Sequence, residues 1–430
     1  MNIQQRCFTA LIPMIFMLTF SQAAFANPIE LSLDDSIALA LQNNHDIKYA
    51  QSSREKSYWA VEEAKKNKGV SLDYSHISER YKTAPTVSTP AYTYTTEFDN
   101  SLSLSLPIYS GNELESKIDQ AKLSLKVAEM DIDLAKQQLK LDVVTDYFTV
   151  LEYRNEVQVD QDTVNNYVDH LNLVKTKYDL GLVAKTDVLS SQVNLATAQN
   201  NLIKAQNNYN NAMAALNNAI GLSHDTELKL KDSFQYEKYS QTLEECIEYA
   251  KKHRLELAQY DANIASAQYD VKIAKSGYLP TVDLAATEDW NDTHLPGAKN
   301  NNWTLKMTAS FNVFDSGLTH SKVKQAQHNV DMVEDKAKTG RDSILLNVRQ
   351  YYLSMYEAEK RIETSKVSVD QAEESLMIQK VRYDVGVGTN LDLLDAVLSL
   401  DSAKKDHIQA LYDHNTNKAK LEQAMGIPVK

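Results

Sequence analysis

The residues of this chain that could carry chemistry are acids at the start of two predicted helices. Asp187 follows the run Gly181-Leu182-Val183-Ala184-Lys185-Thr186, and Asp392 and Asp395 follow Gly386-Val387-Gly388-Thr389-Asn390-Leu391. An acid in a first turn complements the helix dipole, which is the simplest interpretation. Asp392 and Asp395 are three residues apart and share a helix face. In a symmetric oligomer they would form stacked acidic rings that favour cations.

Histidines, cysteines and nucleophiles show no arrangement typical of an enzyme. His407 and His414 replace apolar residues of a helical row, and the two helical turns between them, about 10.5 Å, are too long for one ion. There is no HExxH, Gly-x-Ser-x-Gly or P-loop motif. Cys246 falls in a helical run, where a buried spacer is the expected role. The sequence predicts no enzyme, no cofactor and no metal site.

Composition predicts few turns and therefore long elements. The chain has 430 residues but only 11 Gly and 8 Pro, which argues for long helices rather than a sandwich or an α/β fold. The net charge of -13 disfavours nucleic acid as a partner. Residues 1–26 combine Arg6, an apolar stretch and a final Ala24-Phe25-Ala26, the pattern of a cleaved signal peptide. Cleavage would remove Cys7 and leave no partner for an intramolecular disulfide with Cys246.

The chain is one unit written twice. Lys177-Tyr178-Asp179-Leu180-Gly181 matches Arg382-Tyr383-Asp384-Val385-Gly386 at an offset of 205, and Ala219-Ile220-Gly221 matches Ala424-Met425-Gly426 at the same offset. This period is far longer than that of solenoid repeats. The predicted organisation is a signal peptide at 1–26, a first repeat at 27–221, a linker at 222–240 and a second repeat at 241–430.

Each repeat is predicted to fold as helix, two strands, long helix and return helix, so the fold class is mainly α with a small β portion. One helix is expected from 34 to 66, and the long helices carry heptads such as Leu114, Ile118, Ala121 and Leu125. Strict alternation in Ser101-Leu102-Ser103-Leu104-Ser105-Leu106 indicates a strand. The predicted first-repeat elements are strands at about 70–81 and 93–108, a long helix at 112–180 and a return helix at 184–220. Their second-repeat counterparts are strands at about 281–291 and 303–313, a long helix at 317–385 and a return helix at 390–425.

Four strands cannot close a barrel, and open sheet edges are not tolerated in lipid. No stretch of 18 apolar residues follows the signal, so a spanning helix is not expected. If the strands lie in a membrane, two chains would share eight strands or three chains twelve. The alternative is a small sheet that caps a soluble coiled coil. Aromatic residues of the kind that form membrane girdles favour lipid: Tyr74, Tyr81, Tyr92, Tyr94, Tyr109, Trp290, Trp303 and Phe314.

The duplicated order, the two glycine turns with the Asp-containing runs that follow them, and the Ala-x-Gly ends at Gly221 and Gly426 resemble the TolC-type outer-membrane efflux proteins. The resemblance covers Leu31 to Ile427. It implies a homotrimer with a twelve-stranded barrel in the outer membrane and a helical tunnel in the periplasm. A periplasmic adaptor and an inner-membrane transporter would be the partners, in drug or metal efflux or in type I secretion. The chain would then be a passive exit channel.

The resemblance also implies roles at the helical tips. Gly181, Leu182, Gly386 and Val387 would be gripped by the adaptor, although the glycines could equally be ordinary helix C-caps. Tyr383 and Asp187 would keep the mouth closed by hydrogen bonds between helices. The gating arginine of the family is replaced by Gly388, so Lys185 or another donor would be needed. The rival hypothesis is a soluble periplasmic coiled-coil adaptor or scaffold, whose usual Gly-rich β repeats are not found in this sequence.

Overall fold

The computed structural model describes residues 29–429, and the predicted signal peptide lies outside this range. Both repeats show the same order of two short helices, two strands, a long helix and a return helix. The first-repeat elements are β1 Ile29–Leu31, α1 Leu33–Asn43, α2 His45–Lys66, β2 Ser71–Thr83, β3 Thr93–Tyr109, α3 Glu113–Asp179 and α4 Lys185–Ala219. The remaining elements are β4 Leu228–Leu230, α5 Leu243–His253, α6 Leu255–Ser276, β5 Thr281–Asp292, β6 Asn300–Ser310, α7 Leu318–Asp384 and α8 Asn390–Met425.

The two long helices, α3 and α7, have 67 residues each and are therefore about 100 Å long at about 1.5 Å per residue. Each begins after a residue in the left-handed region, Asn112 or Gly317. One glycine lies inside α7. A Cβ built on Gly340 would overlap the hydroxyl end of the Tyr260 ring in α6, so a larger residue here would require the Tyr260 side chain to move. Within residues 29–429, none of the helices has an apolar stretch long enough to cross a lipid bilayer.

The prediction of one helix over 34–66 was wrong, because the chain breaks at Asn44. This residue is extended, with φ of -63° and ψ of 137°, and its side chain accepts a hydrogen bond from the main-chain N–H of Asp46 at 2.7 Å. It also donates to the carbonyl oxygen of Ala219 at 3.3 Å, which anchors the break to the end of α4. Arg254 makes the corresponding break between α5 and α6 and donates to the carbonyl oxygen of Gln423. Both breaks depend on contacts distant in sequence.

The four long strands form one antiparallel sheet in the order β2-β3-β5-β6, so β2 and β6 are its edges within the described chain. The prediction of a strand at 303–313 was displaced by three residues, since β6 runs from Asn300 to Ser310. Ser310 pairs with Thr281, the first residue of β5. Phe311 to Val313 therefore have no partner strand, and their alternating pattern does not extend the ladder.

The sheet has two chemically distinct faces, because side chains alternate along each strand. One face, called here the leucine face, carries most of the apolar side chains: Leu72, Tyr74, Leu102, Leu104, Leu106, Leu284, Trp290, Trp303, Leu305 and Met307. The same face also carries His76, Asn100, Glu288 and Asp292. The opposite face, the polar face, carries Asp73, Ser75, Glu79, Glu97, Asp99, Ser101, Ser103, Ser105, Asp283, Thr287, Asp289, Asn302 and Lys306. Tyr81 belongs to the polar face, opposite to the face that carries Tyr74.

A short parallel pair joins the start of the described chain to the linker, and the sequence did not predict it. Leu31 of β1 pairs with Leu230 of β4. The carboxylate of Asp232 then accepts from the N–H of Leu33 at 2.9 Å and from the hydroxyl of Tyr147 at 2.8 Å. Arg154 donates to the carbonyl oxygen of Asp232 at 2.9 Å. The first part of the predicted linker is therefore fastened to α1 and α3.

Buried apolar side chains form three clusters spaced along the helices. The largest surrounds Tyr147 and Leu216, where α1, α3, α4 and the β1–β4 pair meet. A second includes Cys246 and Met355, beside α5. The third lies near the turns between the long and return helices and includes Val174 and Tyr383. The third cluster is the packing that positions the predicted functional residues.

Candidate functional site at the helical tips

The two tips have the same backbone structure, which explains their glycines. In the first repeat, the N–H of Leu182 donates to the carbonyl oxygen of Lys177 and that of Gly181 to Tyr178, both at 2.8 Å. This is a Schellman arrangement, and Gly181 has φ of +73°. In the second repeat, Val387 donates to Arg382 in the same way, and Gly386 has φ of +82°. The glycines are helix C-terminal caps.

The tips expose apolar side chains that a soluble surface would usually bury. Leu180, Leu182, Val385 and Val387 each have between 68% and 69% of their surface exposed. A Cβ built on Gly181 or Gly386 would have no atom within 4 Å, so both turns project into open space. Exposed apolar clusters on otherwise polar proteins mark contact sites.

The return helices begin differently in the two repeats. In α8, Thr389 and Asp392 form a capping box, in which each main-chain N–H donates to the other side chain at 3.1 Å. Hydrogen bonds from the side chain and the main-chain N–H of Thr389 hold the pKa of Asp392 below its usual value. In α4, the N-cap residue is Ala184, which has no side-chain acceptor. Both return helices have an acid in the first turn, as the sequence predicts, but only in α8 does that acid form a capping box.

The three predicted acids have different surroundings. Asp392 and Asp395 are both exposed at the start of α8, whereas Asp187 is half-buried in α4. Asp395 takes no part in the capping box. The spacing of three residues on one helix places Asp392 and Asp395 on the same face, as the sequence predicts.

Tyr383 is buried at the contact between the repeats. Its ring is 4% exposed and packs with the rings and chains of the third cluster. Among the described residues its hydroxyl has no hydrogen-bond partner, so Tyr383 makes no side-chain hydrogen bond to another helix within a single chain. Burial, followed by the nearby negative charges of Asp187 and Asp384, raises the pKa of Tyr383. The hydroxyl is therefore a neutral donor at physiological pH.

Three side-chain contacts join α3 to the second repeat at this level. Lys177 donates to the main-chain carbonyl oxygen of Tyr383, and its Nζ lies 4.1 Å from the centre of the Tyr383 ring. Nε2 of His170 is 2.6 Å from Oδ1 of Asn390, the first residue of α8. Further from the tip, Lys380 donates to Oδ1 of Asn166 at 2.7 Å. Within one chain, these contacts join the end of α3 to the ends of α7 and α8.

His170 has the most constrained environment of the three. It is 4% exposed, its ring centre lies 5.1 Å from that of Tyr383, and its Nδ1 is buried without a partner among the described residues. Burial lowers the pKa of His170, and the hydrogen bond with Asn390 opposes this effect. A cavity of about 210 Å³ adjoins it, lined by Asn166, Asp169, His170, Leu173, Lys380, Asp384, Leu393 and Val397.

The sequence drew attention to the helical tips but did not identify Lys177 as the cation that contacts Tyr383. A Cβ on Gly388 would lie 3.0 Å from the main-chain nitrogen of Tyr383, so a larger residue would crowd this turn. The suggested replacement donor, Lys185, is exposed and makes no ion pair among residues 29–429. Lys177 reaches Tyr383 instead. One sequence signal could have pointed to Lys177. It lies in the last turn of α3 and precedes a Tyr-Asp pair, as Arg382 does in the second repeat.

The histidine pair considered for a metal has ordinary packing roles. Nδ1 of His407 lies 2.9 Å from Oγ of Ser365, and His414 is 1% exposed against the ring of Tyr236. Neither belongs to a group of three potential metal ligands among residues 29–429. Glu79, Glu97 and Asp99 do form such a group on the polar face of the sheet, with carboxylate oxygens within 4.8 Å of one another.

Comparison with known proteins agrees with this architecture. The family model described as "Outer membrane efflux protein" matches residues 36–222 and 246–427. The chain therefore belongs to the outer membrane efflux protein family, which confirms the resemblance found in the sequence. It is an outer-membrane exit channel of efflux or secretion systems, with its helices in the periplasm, and not an enzyme.

Individual relatives match over nearly the full length. The chain is 25% identical to the outer membrane protein TolC of Escherichia coli, across 97% of this chain and 86% of that protein. It is 23% identical to the alkaline protease secretion protein AprF of Pseudomonas aeruginosa, across 96% and 87% of the two chains. The crystal structure of the Campylobacter jejuni CmeC outer membrane channel superposes with a TM-score of 0.81 at 18% identity, covering 92% of this chain and 85% of that one.

Proposed function

We propose that three copies of this chain assemble into a continuous exit duct, with a twelve-stranded barrel in the outer membrane above a helical tunnel. The observation that carries the proposal is the sheet, whose edges β2 and β6 are open within the described chain and whose leucine face carries most of its apolar side chains. In a barrel the leucine face would contact lipid and the polar face would line the channel. Neighbouring copies would pair β2 with β6 and leave no open edge in the bilayer.

The helical tips would dock on the partners. Leu182 and Val387 stand at the end of the tunnel opposite the barrel and are exposed apolar residues on rigid turns. A periplasmic adaptor would cover them and connect the duct to an inner-membrane transporter. Of the relatives TolC and AprF, AprF is an alkaline protease secretion protein. Solutes or proteins would pass without chemistry on this chain.

The mouth would be closed by the contacts between the repeats and lined by acids. Lys177, His170 and Asn390 would hold the ends of α3, α7 and α8 together. Threefold symmetry would place three copies of Asp392 and of Asp395 around the axis. These rings would draw cations to the entrance, and movement of α7 and α8 away from α3 would open it.

The assembly can be tested by separating membranes of cells that express the full chain. A detergent-extracted oligomer from the outer membrane, with the mass of three chains in unboiled electrophoresis and by light scattering, is expected. A freely soluble monomer would eliminate the duct and favour the coiled-coil scaffold. Docking is tested in the same cells with Leu182→Asp and Val387→Asp, which should abolish export while the trimer persists. Leu189→Asp is a matched control, because Leu189 is 50% exposed on α4 but lies beyond the turn.

A further inference from the structure

We propose that Arg80 and Lys82, at the outer end of β2, bind the phosphate groups of the glycolipids that form the outer leaflet of the outer membrane. The inference rests on the proposed barrel, since it requires the leucine face to be the lipid face. Both residues are exposed. They follow Leu72 and Tyr74 at even spacing along β2, so they extend the leucine face toward the hairpin that joins β2 to β3.

The depth of Arg80 and Lys82 in the bilayer can be inferred from the β5–β6 loop, which covers the leucine face at one height and so limits its contact with lipid tails. The side-chain nitrogen of Asn100 donates to the carbonyl oxygens of Pro296 at 3.0 Å and Gly297 at 3.2 Å. This brings the β5–β6 loop onto the leucine face beside Phe98, and a Cβ on Gly297 would lie 2.6 Å from the carbonyl oxygen of Phe98. Loop backbone is excluded from hydrocarbon, so contact with lipid tails ends below Asn100.

Arg80 lies beyond that boundary, at headgroup depth. His76 pairs with Asn100, and Arg80 is four residues further out, about 13 Å along the strand at about 3.3 Å per residue. With a strand tilt of about 40°, the rise along the membrane normal is about 10 Å. Long basic side chains at this height reach the charged groups of the leaflet rather than its acyl chains.

Tyrosines hold the two cations in place. Nζ of Lys82 lies 3.8 Å from the centre of the Tyr92 ring, and the guanidinium carbon of Arg80 lies 5.7 Å from that of Tyr94. Such cation–π contacts position a charge without neutralising it. Neither residue forms an ion pair within residues 29–429, whereas several lysines on the helices pair with an acid three or four residues away.

The charges of this hairpin are sorted by face. Glu79 and Glu97 are paired in register and lie on the polar face, as does Asp99. The outward side of the hairpin is therefore positive and the inward side negative. A soluble anion inside the channel would meet the acids, whereas a phosphate in the surrounding leaflet would meet Arg80 and Lys82. Guanidinium and ammonium groups are the usual partners of phosphate.

The test is equilibrium binding of bisphosphorylated lipid A to the detergent-purified oligomer, with dephosphorylated lipid A and inorganic phosphate as parallel probes. The wild-type chain should bind bisphosphorylated lipid A at least tenfold more tightly than the dephosphorylated form. Arg80→Gln and Lys82→Gln should each weaken binding about fivefold, and the double variant about 25-fold. Lys306→Gln, which removes one positive charge from the polar face, should leave the affinity unchanged.

Two results would overturn the site. One is equal wild-type affinity for the two lipids, and the other is the same loss in Lys306→Gln as in Arg80→Gln. Inorganic phosphate that competes at equal concentration would show a soluble-anion site and also contradict the proposal. If the double variant does not assemble, the affinities of the single variants and the wild-type preference between the two lipids test the site instead. A chain that is monomeric in detergent refutes the duct itself, whereas a trimer indifferent to lipid phosphates refutes only the lipid site.

Discussion

Lys177 in the last turn of α3 donates to the main-chain carbonyl oxygen of Tyr383 in the last turn of α7, and its ammonium also lies over the ring of Tyr383. One flexible cation thus contacts both the backbone and the side chain of the other repeat. The carbonyl is at a helix C-terminus, where a positive charge is favoured. The contact therefore stabilises the ends of two helices and the interface between them.

Replacing Lys177 with Met should shift the mouth toward its open state. Hydrogen bonds of charged groups contribute about 1.5 to 3 kcal/mol, and the lower value applies because Lys177 is half-exposed, so the open fraction should rise about tenfold. Single-channel recording in planar bilayers measures this as a larger or more frequently open conductance. Lys175→Met is the matched control, since Lys175 is exposed on the same turn. Equal conductance in all three proteins would show that Lys177 only packs.

Neutralising Asp392 and Asp395 should reduce the preference for cations, measured from reversal potentials in a salt gradient. The structure separates the two residues. Asp395→Asn should change selectivity with little effect on stability, because its carboxylate is exposed and outside the capping box. Asp392→Asn should change selectivity and also lower the melting temperature, since it weakens the capping box with Thr389. Unchanged selectivity in the double variant would remove the acidic rings from the mechanism.

A buried acid on α3 should make stability depend on pH. Glu152 is 7% exposed, and burial, reinforced by Glu156 and Asp413, raises its pKa to about 8. Because the folded pKa is above the unfolded value of 4.5, the stabilising contribution is complete below pH 4.5. It is lost as the pH rises through about 8, when the folded state must carry a buried charge.

Glu152→Gln should therefore unfold at a higher temperature than wild type at pH 8.5, by a few degrees (~2–5 °C), and this advantage should disappear at pH 4.5. Calorimetry of the detergent-solubilised protein at both pH values measures the difference. Glu374→Gln is the control, because Glu374 is exposed on α7. The same pH dependence in wild type and Glu152→Gln would contradict the assignment.

A side chain at position 340 should be accommodated only if the Tyr260 ring moves aside. The added Cβ of Gly340→Ala would overlap the Tyr260 ring, so overpacking should lower the free energy of unfolding by about 1 to 3 kcal/mol. Combining it with Tyr260→Ala should make the alanine at 340 neutral or mildly stabilising relative to Tyr260→Ala alone, since alanine favours helix. An additive double variant would mean that the two residues do not contact.

The repeat itself and the order of its elements could be predicted from sequence because they depend on local signals. Heptads, the alternation around Ser103 and the glycine turns at Gly181 and Gly386 each specify backbone structure within a few residues. Long helices that end at glycine turns are the easiest elements to predict. The predicted ends of α3 and α8 lie within one residue of those in the structure.

The errors concern features decided by distant contacts. The break at Asn44 depends on the end of α4, and the end of β6 depends on where β5 begins. At the tips, the acids and the glycines were visible as motifs, whereas Lys177 and His170 were not. Their roles arise from the approach of α3 to α7 and α8, which no spacing along one helix encodes.

The β1–β4 pair has a consequence for the order of folding. Leu31 and its partner Leu230 are joined across the whole first repeat, and Asp232 completes the connection to Leu33 and Tyr147. All of these groups have been synthesised before the second repeat exists. The first half can thus close its own core during export, while the second half is still an extended chain. Early burial of this core would limit contacts of its apolar side chains with other chains before the second half has folded.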